Sequence, residues 1–134
     1  MKKLSPDVWV AGQILPEDLA AAAAAGVRSV VNNRPDHEEA GQPLGAEIEA
    51  AARAAGLGYR HIPVAGGFSH AQVEAMAEAL EAGPVLAFCK SGTRSTYLWA
   101  LARSARGAPA SELETQAAAA GYDLGPILSY LRRG

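Results

Sequence analysis

Pro84-Val85-Leu86-Ala87-Phe88-Cys89-Lys90-Ser91-Gly92-Thr93-Arg94-Ser95 is the stretch of this 134-residue chain that decides its fold. Residues 84–88 are apolar without a break, which suits a central strand covered on both faces, as in parallel sheets. A cysteine, a short polar loop and an arginine follow, and the spacing then predicts a helix over 96–106. Such a strand delivers Cys89 to the carboxyl edge of a sheet, where the ligand sites of α/β proteins gather. A loop that opens into a helix N-terminus turns its amides inward and forms a nest for an anion. The same field favours a thiolate at Cys89, the nucleophilic form of cysteine.

Each neighbour has a physical task in this reading. Gly92 lets the backbone bend without a side chain in the cradle. Arg94 offers a planar fork of donors to an oxyanion. Ser95 stands where its hydroxyl can hydrogen-bond the sulfur. Lys90 adds a positive charge, and Ser91 and Thr93 keep the loop polar. The residues therefore predict Cys89, Arg94 and Ser95 as the catalytic group, with Lys90, Ser91, Gly92, Thr93 and Arg94 as the anion-binding loop. A buried structural cysteine would require none of these neighbours.

Working outward, strands are expected at 8–11, 27–32 and 57–64, because these runs are short, apolar and rich in β-branched or aromatic residues. Helices are expected from Pro16 to Gly26, over 44–55, and from the Ser69 cap to about Ala82. A second capping pattern at Ser111 opens another helix that runs to Gly121, and Gly125-Pro126 opens a last short one. Thirty alanines account for much of the 49% hydrophobic fraction, and tracts such as 20–25 and 117–120 read as helix rather than low complexity. Strands alternating with helices imply an α/β sandwich around a mostly parallel sheet of four to five strands. The length suits one domain over 1–134. Arg132 and Arg133 are expected to complement the dipole of the last helix.

Composition excludes several functions. Twelve basic and fourteen acidic residues leave a net charge of −2, too balanced for a nucleic-acid partner held by a broad basic field. One cysteine allows no internal disulfide. His37, His61 and His70 lack paired metal-ligand spacing, so neither metal nor cofactor is expected. No apolar run approaches membrane-spanning length, and Met1-Lys2-Lys3-Leu4 lacks the apolar core of a signal peptide, so no membrane partner and a cytoplasmic location are expected.

The run from Phe88 to Ser95 resembles the active-site loop of the bacterial beta-lactamase-hydrolase-like family, phosphatase-like domain. Trp9-Val10-Ala11-Gly12-Gln13-Ile14 resembles that family's opening strand. Val30-Val31-Asn32-Asn33-Arg34-Pro35-Asp36 resembles its second strand and loop, and Ala120-Gly121-Tyr122-Asp123-Leu124 its closing segment. The resemblance implies a tyrosine-phosphatase-like three-layer sandwich. It also implies three departures from working tyrosine phosphatases. Four residues separate Cys89 from Arg94 where those enzymes have five, a spacing similar to the six-residue loop of rhodanese-type sulfurtransferases. Phe88 stands where a histidine is usual. The stretch 65–70, which matches the acid-bearing loop, contains no carboxylate.

General acid catalysis is worth roughly 10²–10⁴-fold, so its absence weighs against a phosphate monoester with a poor leaving group. The favoured reading is therefore sulfane-sulfur transfer through a Cys89 persulfide. The substrates would be small anions such as thiosulfate or a persulfide. The partners that the resemblance implies are a sulfur-oxidising enzyme or an acceptor thiol. The alternative is a phosphatase that acts on phosphate esters through a Cys89 thiophosphoryl intermediate. A non-catalytic anion-binding or redox-sensing module is a second alternative. Asp36 is the best replacement acid, His70 a further proton donor, and Arg34 a second anion contact at the rim. His37, Glu38 and Glu39 read as a solvated loop, with the lining of the pocket mouth as the alternative, and His61 as structural. Asn32 and Asn33 serve equally as site or capping residues.

Overall fold

The computed structural model describes residues 1–131. Five strands form one sheet: β1 (Lys2–Ser5), β2 (Val8–Ala11), β3 (Ser29–Asn32), β4 (Gly58–His61) and β5 (Val85–Phe88), in the order β1-β2-β5-β3-β4. All pairings are parallel except β1 with β2. β5 is central, as its uninterrupted apolar run requires, and all four of its residues are buried.

Side-chain alternation along β5 divides the core in two. Leu86 and Phe88 pack with Val30, Leu19, Ile48 and Ala52 beneath α1 (Leu19–Ala24) and α2 (Gly45–Ala54). Val85 and Ala87 pack on the opposite face with Val10, Val31, Met76, Leu98 and Trp99. That second layer is made by α3 (His70–Glu81), α4 (Thr93–Ala105) and α5 (Ala110–Ala119). The three-layer α/β sandwich expected from the chain is therefore present. Among the described residues, no helix is long and apolar enough to cross a membrane.

Several boundaries differ from expectation. The chain folds back at Pro6 and Asp7, so residues for which no element is expected form β1, an antiparallel edge strand. β3 and β4 are shorter than 27–32 and 57–64, losing residues at the start of β3 and at both ends of β4, although Ile62 and Val64 still donate to the carbonyls of Asn32 and Asn33. α4 begins at Thr93, three residues before the expected start, so Thr93, Arg94 and Ser95 form its first turn. α5 starts at Ala110 with Pro109 as its N-cap, which puts Ser111 inside the helix rather than at its cap. The final helix, Gly125–Tyr130, is a 3₁₀ helix. Arg132 and Arg133 lie outside the described residues.

The Ser69 capping box is present as expected. Ser69 Oγ accepts from the Gln72 amide, and Gln72 Oε1 accepts from the Ser69 amide. It fixes where α3 starts after the loop at 65–68.

Candidate active site

The register Asn32↔Phe88 and Ala11↔Phe88 sets three strand ends side by side at the carboxyl edge of the sheet. Cys89 leaves β5 at that edge and is buried, with 1% of its surface exposed. Its amide donates to Ala11 O (3.4 Å), and Lys90 O accepts from the Gln13 amide (3.2 Å). The loop is thus seated on the end of β2. A Cβ on Gly12 would stand 3.0 Å from Lys90 O, so a side chain there would press the two backbones apart. The loop then curls until the Gly92 amide donates to Cys89 Sγ at 3.1 Å. The sulfur therefore faces the concave side of the turn that starts α4, as the loop sequence implies.

Gly92 has φ +90°, and an added Cβ would run into the Tyr122 hydroxyl. That hydroxyl donates to Ser91 O at 3.1 Å and braces the loop from behind. Burial first, and the nearby charge of Cys89 second, push the Tyr122 phenol upward. Gly92→Ala is expected to cost about 1–3 kcal/mol from the backbone conformation alone, with displacement of Tyr122 adding to it. Thermal unfolding measures this, and an unchanged melting temperature would show that the loop can rebuild around a side chain.

Arg94 lies in the first turn of α4 and reaches across the mouth of the loop. Its Nη1 donates to Glu38 Oε2 (2.7 Å) and to Val64 O (2.8 Å), and its Nη2 donates to Glu38 Oε1 (2.8 Å). The Glu38 carboxylate also accepts from Arg34 Nε at 2.9 Å. Arg34 is 3% exposed and extends the network, with Nη1 on Gln13 Oε1 (3.0 Å) and Nη2 on Glu39 Oε1 (2.7 Å). Glu39 in turn meets Lys90 Nζ at 3.2 Å. Two carboxylates and three cations thereby join the segment after β3 to both the loop and α4. The hydrogen bond from Arg94 is the largest cause that brings the Glu38 carboxyl down to about 2, with Arg34 adding to it and burial opposing it. Lys90 first, then Arg34, lowers Glu39. The Arg94 guanidinium is raised, chiefly by Glu38, and the charge of Cys89 adds to this.

These contacts correct several expectations. Glu38 and Glu39 are not a merely solvated loop, because they pair with Arg94, Arg34 and Lys90. Arg34 is at the rim, but its guanidinium is occupied by Glu38, Glu39 and Gln13. Ser95 does not donate to the sulfur. Its buried hydroxyl donates to Asn33 Oδ1 at 2.8 Å, because α4 begins early enough to turn that residue toward the end of β3. Asp36 is not poised over Cys89 either: its Oδ1 accepts the Gly45 amide at 2.7 Å, at the start of α2. His70 is exposed and lines an apolar cleft of about 550 Å³ with Phe68, Val73, Leu101, Ile127 and Tyr130. His61 is structural, its Nε2 bonded to Arg34 O at 2.9 Å. No group of three or more His, Cys, Asp or Glu residues among the described ones is placed to hold a metal ion.

Reading the sequence missed Glu38, Gln13 and Tyr122 as parts of the site. The loop after a parallel strand ends on the sheet edge that carries Cys89, which is the signal for Glu38 as much as for Asp36. Nothing local marks Gln13 or Tyr122, which reach the loop only through tertiary packing.

Comparison with known proteins agrees with this geometry. Residues 1–106 match the family described as beta-lactamase hydrolase-like protein, phosphatase-like domain. A beta-lactamase hydrolase-like protein of Xylella fastidiosa is 39% identical over 128 residues, covering 92% of this chain and 30% of the relative. This chain thus spans about a third or less of the length of such curated relatives. A candidate phosphatase from Neisseria meningitidis of known crystal structure is 33% identical, with a TM-score of 0.83 over 96% of this chain and 93% of that one. Pseudomonas aeruginosa TpbA, solved in complex with phosphotyrosine, shares the fold at 21% identity, with a TM-score of 0.65 over 97% of this chain and 80% of that one.

Proposed function

The chain belongs to the beta-lactamase hydrolase-like, phosphatase-like domain family, and on that premise we propose that it is a cysteine-dependent hydrolase of small phosphate monoesters. The observation that carries this reading is the Gly92 amide on Cys89 Sγ at the foot of α4, with Arg94 in the first turn of the same helix. The fold it shares with proteins described as phosphatases, one of them holding phosphotyrosine, supports a phosphate ester as the substrate.

In this reading the Cys89 thiolate attacks phosphorus in line with the ester oxygen. The S–P bond forms as the P–O bond breaks, and the electron pair leaves with the alcohol. The amides of 90–94 and the guanidinium of Arg94 hold the equatorial oxygens, where charge stabilisation contributes most. Water then attacks the thiophosphoryl group and releases inorganic phosphate, and the thiolate returns. Glu38 is held ionised by Arg94, Glu39 is lowered by Lys90, and Asp36 is turned to the Gly45 amide rather than to Cys89, so none of the three is placed as the proton donor. The preferred esters are therefore aryl phosphates, whose phenolate leaves without a strong acid.

Sulfane-sulfur transfer is a second reading, favoured by the four-residue spacing from Cys89 to Arg94 and by the same lack of a protonated carboxyl. There the thiolate attacks the outer sulfur of thiosulfate, and sulfite leaves as a stable anion. One pair of incubations separates the two. With an aryl phosphate, acid quenching and intact mass are expected to reveal a phosphoryl adduct on Cys89, accompanied by steady phosphate release. With thiosulfate, no lasting sulfur adduct is expected. A persulfide that passes its sulfur to cyanide, without phosphate release, would replace the hydrolase reading with the transferase.

A further inference from the structure

We propose that Glu38 is a positioning residue that clamps the far edge of Arg94 so that the near edge is presented to the substrate's oxyanion. An arginine carries five N–H donors, two on each terminal nitrogen and one on Nε. Glu38 takes one from Nη1 and one from Nη2, and Val64 O takes the second from Nη1. Among the described residues, the Nε–H and the second Nη2–H find no oxygen acceptor. These two donors form the remaining parallel edge of the guanidinium, the edge that matches a phosphoryl or carboxylate group bidentately. Arg94 follows two residues after Gly92, whose amide holds Cys89 Sγ, so the free edge belongs to the same turn as the nucleophile.

The clamp is itself held. Arg34 Nε binds Glu38 Oε1, and Arg34 is anchored by Gln13 and Glu39. His61 adds a bond to the Arg34 backbone. The Glu38 side chain is 27% exposed and that of Arg94 24%, and the bidentate pairing together with the Val64 carbonyl fixes the guanidinium in one geometry. A guanidinium fixed at one edge loses less rotamer freedom when substrate binds the other, which is the gain a positioning residue supplies.

The opposite role has the opposite signature. A carboxylate that merely plugged the anion site would compete with substrate, and its removal would tighten binding. Clamping predicts that Glu38→Ala weakens binding of inorganic phosphate and lowers kcat/KM for an aryl phosphate, each by about 10–100-fold, although a negative charge has been removed. Glu38→Asp keeps the charge with a shorter reach and should recover part of both. Calorimetry of the full chain with inorganic phosphate, beside turnover of the aryl ester well below the melting temperature, gives both readouts. Tighter phosphate binding in Glu38→Ala, or unchanged binding and turnover with only a lower melting temperature, would overturn the clamp.

This inference rests on the hydrolase reading, and the two can fail separately. Weaker phosphate binding in Glu38→Ala, with no turnover by the wild type, leaves the clamp standing and removes the hydrolase. Turnover that is equal in both proteins does the reverse.

A stability measurement supplies an independent check. The groups facing Glu38 are Arg94 and Arg34, with Glu39 and Lys90 adjoining. Pairing lowers the folded carboxyl from 4.5 to about 2, so its contribution is complete above the unfolded value and fades as pH falls through the folded one. The melting-temperature gap between wild type and Glu38→Gln should therefore be full near neutral pH and close as pH falls below 4.5 toward 2. A gap that stays constant across that window would mean that the pair does not hold Arg94 in solution.

Discussion

Cys89→Ser is expected to reduce aryl phosphate turnover by on the order of 10⁴-fold or more, the scale seen when an enzyme loses its nucleophile. Stability and phosphate affinity should stay close to wild type. The argument is one of small structural change against large chemical change. A serine oxygen fits where the sulfur sits, 1% exposed at the end of β5, and can still accept the Gly92 amide. The loop, its seat on β2 and the Glu38–Arg94 pair are untouched by the exchange. What is lost is the sulfur nucleophile, since an alcohol without an adjacent base stays protonated and attacks phosphorus poorly. Among the described residues, no imidazole or carboxylate bonds to this position to act as that base. Steady-state kinetics, phosphate calorimetry and thermal unfolding on the same preparation separate the terms. Turnover within tenfold of wild type would place the nucleophile elsewhere and remove the basis of the proposed chemistry.

The residues of the chain disclose the architecture well, and the reason is local. β5 is short, apolar and followed by a polar glycine loop, so periodicity, breaker residues and helix start signals agree. The Ser69–Gln72 box was readable for the same reason, since both partners lie within one turn. β1 was not, because Lys2 and Lys3 have no strand pattern of their own. Their order comes from pairing with β2 and from Lys3 lying over the Trp9 ring at 5.1 Å. The site divides along the same line. Cys89, Gly92 and Arg94 lie within six consecutive residues and announce themselves. The role given to Ser95 was misread because a three-residue error in the start of α4 rotates a side chain by most of a turn. Glu38 escaped because 56 residues separate it from Arg94, and only the crossover connections bring the ends of β3 and β5 together.

Asn33→Ala is expected to lower stability by about 2–5 kcal/mol, the largest effect we foresee for a residue that takes no part in the chemistry. Asn33 is 0% exposed and sits one residue beyond β3. Its backbone already joins two elements, as the amide donates to Phe88 O (2.8 Å) and the carbonyl accepts from the Val64 amide (3.0 Å). Alanine keeps both. The side chain adds the third element, since Oδ1 accepts from Ser95 Oγ in α4 while Nδ2 donates to Ile62 O at 2.9 Å. Truncation strips the partner from a buried hydroxyl and a buried carbonyl together, and each orphan costs about 1–3 kcal/mol. For a chain of this size each kcal/mol lowers the melting temperature by about 3–5 °C. The direction of coupling is also determined. Ser95→Ala removes the orphaned hydroxyl, so the double variant should be more stable than the sum of the two single losses, and a double-mutant cycle reads that difference. Because Ser95 follows Arg94 in the chain, untying it also frees the first turn of α4, and kcat/KM should fall even at temperatures where the variant is fully folded. A melting temperature within about 2 °C of wild type would mean that water or another group satisfies Ser95 and Ile62, and that the carboxyl end of β3 does not fix the position of the loop.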